Sequence, residues 1–311
     1  MSLVHKPIAD TRAHRARFGL LVSATSDLGE EIQSIAALQQ LPTVHEVIDR
    51  DAPRQLRHPT RTIWNGCFTR GVDVSPCNRD NLLPLLISVH IRQNGGSSDT
   101  DLLTASEQDF LEQNGPVGCR DLATLELLKA YGIPAYFSGC LTLTLPQYSG
   151  HRSDDVTSID VPPLLFERLE PEAKEGVTLR RETTHTIPGL SISGKFRFRR
   201  IHQFVAARRL LRALARSRLV VTTSLPAALS ATALGTPAIL LMPNPRDGQF
   251  AGLSDLVYAI PLQDALEDTS LINLNETRTK GLHLALAEDL ENTCREFIFG
   301  TADSRQAVGA R

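Results

Sequence analysis

Residues 115–146 read GPVGCRDLATLELLKAYGIPAYFSGCLTLTLP and give the clearest indication of the fold class. The run Val117–Arg120 predicts a buried strand. Leu122–Tyr131 has apolar residues at helical spacing, and Gly132 is placed to end that helix. A second strand is predicted at Ala135–Leu141. A strand, a helix and another strand in this order are typical of a parallel sheet covered by helices.

The same alternation continues on both sides of this stretch. Upstream, strands are predicted at Phe18–Ala24, Val44–Ile48, Thr62–Cys67 and Leu83–Ile91, with a helix over Glu31–Gln40. Downstream, the apolar runs Val161–Phe166 and Val177–Arg181 precede a helix Ile201–Arg216, a strand Leu219–Thr223, a helix Pro226–Leu234, a strand Ala238–Leu241 and a closing helix Leu282–Phe297. The sequence therefore predicts an α/β protein with two doubly wound, Rossmann-like domains that face a central cleft.

A polar stretch marks the predicted boundary between these domains. Gln147–Asp160 contains Gly150 and is followed by Pro162-Pro163, which is typical of a linker. The prediction is an N-terminal domain over residues 1–150 and a C-terminal domain over residues 151–311. The closing helix is a candidate to pack back on the N-terminal domain.

Composition narrows the class of partners. A formal net charge of −2 gives no broad attraction to nucleic acid or to anionic membranes. The five cysteines form no C-x-x-C pair, which argues against a disulfide framework and a structural zinc site. The N-terminal residues lack a secretory apolar segment, and no apolar run approaches the length of about 20 residues that spans a bilayer. We therefore expect a soluble, cytoplasmic protein that neither binds nucleic acid nor inserts stably into membranes.

Several common catalytic signatures are missing from the sequence. There is no G-x-G-x-x-G, G-x-S-x-G, H-E-x-x-H or Walker motif. Two Asp-x-Asp sequences, at Asp49–Asp51 and Asp99–Asp101, have no supporting ligands nearby in the sequence. We therefore predict no metal and no tightly bound cofactor.

Four segments resemble the polysaccharide pyruvyl transferase family. They are Asp27–Pro42 with Ile48–Asp51, Ile63–Phe68 with Ile87–Ile91, Gly115–Pro146, and Leu219–Leu241. The third is the most specific, because it includes both G-C-R-D and S-G-C-L-T. The fourth departs from the family, which normally has Ser-Arg-Leu-His before the apolar helix. This chain has Thr223, Ser224, Leu225 and Pro226 there.

The resemblance implies a fold similar to B-type glycosyltransferases, with the N-terminal domain on the acceptor side and the C-terminal domain on the donor side. It also implies transfer of pyruvate from phosphoenolpyruvate, an anionic co-substrate, to a sugar of a polysaccharide or glycan precursor. Arginine suits the carboxylate and phosphate of such a donor, and histidine suits proton transfer. Serine and proline do neither, so two alternatives stay open: a glycosyltransferase that uses a nucleotide sugar, and a binding or partner protein that has lost catalysis.

Two histidines are the candidate catalytic residues. His90 ends an apolar strand and should therefore lie at the carboxyl edge of a sheet, where ligands bind, although a structural histidine fits the same position. His185 lies in Thr-Thr-His-Thr, where family members often have a Thr-His pair. The cationic stretch that starts with Lys195 and Arg197 is a candidate to bind the anionic donor, or else a solvated helix start.

The remaining candidates are assigned to substrate binding. Asn65, with Gly66, is predicted to form a strand-to-loop corner whose amide reaches sugar hydroxyls, or a simple turn. Gly29 precedes a helix and would let a phosphate approach its N-terminus. Arg120 precedes Asp121, which is predicted to cap a helix and pair with a cation. The other substrate-binding candidates come from the segments that resemble the family: Gln33, Ser138, Thr223 and Ser224.

Overall fold

The computed structural model describes residues 17–23, 27–50, 55–69, 81–92, 103–169, 178–184, 196–276 and 279–300. The strands within these ranges are β1 Arg17–Val22, β2 Glu46–Asp49, β3 Thr60–Thr69, β4 Leu82–Arg92, β5 Val117–Cys119, β6 Ala135–Phe137, β7 Val156–Ile159, β8 Leu179–Glu182, β9 Leu219–Thr222, β10 Ala238–Met242 and β11 Tyr258–Pro261. The α-helices are α1 Leu28–Gln40, α2 Ala105–Asn114, α3 Leu122–Ala130, α4 Pro163–Leu169, α5 Phe196–Arg216, α6 Leu225–Ala233, α7 Leu262–Glu267 and α8 His283–Phe299.

The chain divides into two compact units. The first draws its described residues from within 1–24, 33–141 and 286–311, and the second from within 25–32 and 142–285. Within the described ranges, no helix combines the length and the hydrophobicity needed to cross a membrane.

The first unit contains a parallel sheet in the order β2-β1-β3-β4-β5-β6. Its core is built on aromatic side chains of β3 and α2: the ring of Trp64 meets the ring of Phe110 edge-on at 6.0 Å between centroids. The strand order reverses direction between β1 and β3. In open parallel sheets such a reversal opens a crevice at the carboxyl ends of the strands.

The second unit contains a parallel sheet in the order β11-β10-β9-β7-β8. Its strands are short, β9 and β10 are strongly apolar, and α6 packs against these two strands with nearly every side chain buried. The strand order reverses between β7 and β9, so the carboxyl ends of these two strands form the second crevice. The prediction of an α/β protein with parallel, helix-covered sheets is confirmed.

Two local predictions differ from the structure, and one helix was missed. The stretch interpreted as a linker contains β7, which is an interior strand of the second sheet. The apolar run Val161–Phe166 is not a strand, because Pro163 begins helix α4. Helix α2 was not predicted; it begins with a capping box in which Thr104 and Glu107 bond each other's backbone N–H groups.

Candidate functional site

A β-bulge shapes the end of β4 in the first unit. Trp64 pairs with Leu86 and Gly66 pairs with Val89, so β4 carries one more residue than β3 between these pairs. The extra residue places Ser88 in the left-handed region, with a φ of 56°, a conformation that costs about 1 kcal/mol or more. Bulges of this kind are frequent next to active sites, because they re-aim the side chains that follow.

Ser88 is held in this conformation by the residues at the end of β6. Its N–H donates to Ser138 Oγ at 3.1 Å, and its own hydroxyl donates to the carbonyl of Gly139 at 2.8 Å. Ser138 Oγ also bonds the carbonyl of Cys119 at the end of β5. The predicted substrate-binding residue Ser138 is buried, and its hydroxyl ties the bulge of β4 to the carboxyl ends of β5 and β6.

The bulge leads to a buried dyad of His90 and Asp121. Nδ1 of His90 lies 2.6 Å from Oδ2 of Asp121, and the two residues are 3 % and 0 % exposed. Val89 pairs with Cys119, the last residue of β5, so His90 lies at the carboxyl edge of the sheet as predicted. Within the described residues, Nε2 of His90 has no hydrogen-bond partner.

The charges around the dyad fix its protonation. Burial alone raises the pKa of Asp121, but the hydrogen bond and charge of His90, together with Arg120 and the Thr124 N–H, outweigh it and hold that pKa below its usual value. Burial, followed by the charge of Arg120, lowers the pKa of His90 more than Asp121 raises it. At neutral pH Asp121 is therefore a carboxylate that only accepts, so Nδ1 of a neutral His90 carries the proton and Nε2 carries a lone pair.

Asp121 is also the N-cap of α3, as the sequence predicted. Its Oδ1 accepts hydrogen bonds from Thr124 N–H at 3.0 Å and Thr124 Oγ1 at 2.9 Å. Arg120 is buried beside it, with Nε 3.7 Å from Oδ2 of Asp121. The helix cap therefore orients the carboxylate that orients His90, and this geometry is that of a general base held by a second residue.

Asn65 and Gln33 also meet in the first unit. Nδ2 of Asn65 lies 3.4 Å from the backbone carbonyl of Gln33, and both side chains are buried. The prediction of a strand-to-loop corner at Asn65 was wrong. Gly66 adopts a φ of 122°, which lets β3 pass through the bulge and continue to Thr69. The Asn-Gly pair thus marks an irregularity inside the strand.

The crevice of the second unit is built around Asp160, which follows β7. Asp160 has a φ of 54°, and its carboxylate accepts from the Thr183 hydroxyl at 2.7 Å and from the Thr184 N–H and hydroxyl. Its carbonyl accepts from Thr223 Oγ1 at 3.0 Å. The carboxyl ends of β7, β8 and β9 are therefore tied together by one acidic residue and three threonines.

Ser224 and Pro226 begin helix α6 at the edge of this crevice. Ser224 is the N-cap, and its hydroxyl accepts from the Ala227 N–H at 3.4 Å. Its own N–H donates to Thr222 Oγ1 at 2.9 Å. The ring of Pro226 packs on Gly29 of α1. Neither side chain is ionisable, so at these positions the chain offers helix capping and packing but no charge.

The first backbone N–H groups of α1 already donate hydrogen bonds to other residues of the protein. Gly29 N–H donates to Asp27 Oδ1 at 2.7 Å, and Leu28 N–H donates to the carbonyl of Thr184 at 2.8 Å. A phosphate near Gly29 would have to displace the Asp27 carboxylate, so binding of a phosphate by Gly29 stays a prediction.

Some predicted residues lie outside the described part of the chain. His185 and Lys195 are among them, and so is the side chain of Arg197 in the first turn of α5. Within the described residues, no group of three or more His, Cys, Asp or Glu side chains is arranged to hold a metal ion.

Sequence reasoning missed Asp160 and Ser88. Asp160 directly follows a strand, which is a typical signal, but that strand was hidden in the presumed linker. Ser88 sits within an apolar run and gives no local signal, because its conformation depends on Ser138, which is 50 residues away.

Comparison with known proteins agrees with the resemblance. Residues 105–245, from α2 to just beyond β10, match the model of the polysaccharide pyruvyl transferase family. No curated protein matches the sequence. Among solved structures, an uncharacterized protein of Klebsiella pneumoniae subsp. pneumoniae NTUH-K2044 is similar with a TM-score of 0.44 and 12% identity, over 78% of this chain and 89% of that one.

Proposed function

We propose that this chain, whose central region matches the polysaccharide pyruvyl transferase family, transfers pyruvate from phosphoenolpyruvate to a sugar of a polysaccharide or its precursor. The observation that carries the proposal is the dyad of His90 and Asp121 at the carboxyl edge of the first sheet. In it, His90 is the catalytic base and Asp121 is the positioning residue.

The reaction sets the requirements for this base. One sugar hydroxyl bonds to the carbon that carries the phosphate ester, and the methylene carbon of the donor gains a proton and becomes a methyl group. A second hydroxyl of the same sugar then bonds to that carbon while the bond to phosphate breaks. The products are a cyclic ketal and inorganic phosphate, which leaves with the second hydroxyl proton. A single base that takes the proton of the first hydroxyl and gives it to the methylene carbon satisfies the proton balance of the reaction.

His90 has the properties that such a base needs. The lowered pKa keeps it neutral at pH 7, and the bond from Nδ1 to Asp121 leaves the lone pair of Nε2 to accept the proton. Asp121 then stabilises the imidazolium that forms. Because His90 is almost fully buried, the proposal requires that its cover open when the acceptor binds.

The donor needs cations, and the described crevice of the second unit supplies none at Ser224 or Pro226. We therefore assign the carboxylate and phosphate of phosphoenolpyruvate to Lys195 and Arg197. Arginine in particular matches such groups with two parallel N–H donors.

The test measures phosphate release and formation of a pyruvyl ketal on a panel of oligosaccharides, with phosphoenolpyruvate as donor. Changing His90→Gln should lower the rate by about 10²–10⁴-fold. The exposed His58→Gln is the matched control and should leave the rate unchanged. If the unmodified protein forms neither phosphate nor ketal, the proposed transferase activity is refuted. An unchanged rate in His90→Gln would refute the role of His90.

A second candidate function is a glycan-binding protein without transfer activity. It is favoured by the structural use of Ser224 and Pro226, since the resemblance leads one to expect Arg and His there. The double change Ser224→Arg with Pro226→His tests it. If the unmodified protein shows no transfer and the double variant gains phosphoenolpyruvate-dependent transfer, the protein is a degenerate pyruvyl transferase.

Titration with a uridine nucleotide distinguishes a nucleotide-sugar transferase, since that enzyme alone would bind the nucleotide tightly.

A further inference from the structure

A groove of about 600 Å³ lies in the second unit between α5 and strands β7 and β8. It is lined by Asp155, which directly precedes β7, and by Arg216, which ends α5 shortly before β9. The lining also includes Arg180 and Glu182 of β8, so the groove follows that strand from its amino-terminal side to its last residue. Asp160 and Thr223, which form the crevice at the carboxyl ends of β7 and β9, are not among the residues that line the groove.

The lining of the groove is rich in arginine. Four arginines face two carboxylates there: Arg180, Arg209, Arg212, Arg216, Asp155 and Glu182. The chain as a whole has a formal net charge of −2, so this surface is positive in a slightly negative protein. A concave surface of one sign concentrates ions of the opposite sign.

Three arginines of α5 are unpaired within the described part of the chain. Arg180 uses its Nε for Asp155 Oδ2 at 2.8 Å, whereas Arg209, Arg212 and Arg216 make no ion pair or hydrogen bond within the described part of the chain. All three are exposed. Their spacing of three and four residues puts them on one face of the helix.

A solvated basic helix is the simplest alternative explanation, but it does not account for this stripe. Cations stabilise a helix C-terminus within its last turn, which covers Arg216 only. Arg209 and Arg212 lie earlier, and like charges three or four residues apart on a helix repel each other. The stripe is therefore unfavourable by itself, and a bound anion would relieve it.

We propose that this groove binds an acidic polysaccharide chain, with its anionic groups on the stripe of Arg209, Arg212 and Arg216. The stripe is about 10 Å long, so it can engage acidic groups on neighbouring sugars, and each guanidinium matches a carboxylate or phosphate. Asp155 and Glu182 suit a polymer that also carries hydroxyl donors. They would repel the continuous phosphates of a nucleic acid. The choice of a glycan over other polyanions rests on the proposed function.

Calorimetric titration with oligogalacturonate, without phosphoenolpyruvate, tests the site. The unmodified protein should bind oligogalacturonate, and affinity should fall as salt is raised. The double variant Arg209→Glu with Arg212→Glu should lose affinity by at least about 10-fold. The control variant Arg246→Glu, an exposed arginine of the same unit outside the groove, should bind as the unmodified protein does.

Three outcomes would overturn the proposal: no binding of oligogalacturonate, equal weakening by Arg246→Glu, or equally tight binding of neutral dextran or a single-stranded oligonucleotide. Thermal melts show that the variants are folded. Because the titration involves no turnover, the two proposals are tested independently. Oligogalacturonate binding can be absent while pyruvyl transfer is present, and it can be present while transfer is absent.

Discussion

Gly29 in the first turn of α1 packs directly against Pro226 in the first turn of α6. A methyl group added to Gly29 would lie 3.0 Å from Cγ and 3.1 Å from Cβ of the proline ring, and 3.0 Å from Oδ1 of Asp27. These distances are shorter than ordinary carbon contacts. The position where the resemblance leads one to expect a histidine is therefore part of a helix-to-helix packing contact.

This contact predicts a coupling between the two positions. Gly29→Ala gains about 1 kcal/mol of helix propensity but crowds the ring of Pro226. We expect the change to destabilise the protein when Pro226 is present and to do so less when Pro226→Gly removes both ring carbons, since only Asp27 Oδ1 then stays close to the added methyl group. A double-mutant cycle on unfolding midpoints measures the coupling, expected to be about 1 kcal/mol. Additive effects of the two changes would show that the contact carries no energy.

A second prediction compares two N-caps on helices of nine residues, α3 and α6. Asp121 is fully buried and bonds both Thr124 and His90, so Asp121→Ala should cost about 3 kcal/mol. Ser224 makes one long cap bond, so Ser224→Ala should cost about 0.5–1 kcal/mol. Chemical denaturation of the two variants checks the ranking. Equal losses would mean that the bond to His90 adds nothing to the cap.

The sequence predicts the elements whose signals are local. The apolar run that became β4 and the cap at Asp121 are read correctly, because burial periodicity and helix capping depend on neighbouring residues. The carboxyl-edge position of His90 follows from the same strand. Its pairing with Asp121 does not, since the two residues are 31 positions apart.

Strand β7 shows why the rest could not be predicted. Thr157 and Ser158 make it polar in sequence, yet both are buried. Thr157 is satisfied by the Ser217 hydroxyl at 2.6 Å and Ser158 by the carbonyl of Arg180 at 3.1 Å. These partners come from distant segments, so no local pattern distinguishes such a strand from a linker.

The last prediction concerns the dependence of stability on pH. Burial and the charge of Arg120 lower the pKa of His90, and burial lowers the pKa of His283. In the unfolded chain both histidines bind protons near pH 6.5. Between pH 7 and pH 5 the unfolded state therefore binds more protons than the folded state, so the free energy of unfolding should fall as the pH falls.

Calorimetric melts across pH 5–7 measure this slope. This pH range stays above the range in which Asp121, with its lowered pKa, takes up a proton. The double variant His90→Gln with His283→Gln should flatten the pH dependence of the melting temperature, because glutamine does not titrate. His58→Gln serves as the control and should keep the original slope, since His58 is exposed. If the double variant retained the full slope, neutral burial of these histidines would not be the source of acid sensitivity. If the melting temperature of the unmodified protein rose on acidification, the direction assigned to both pKa values would be wrong.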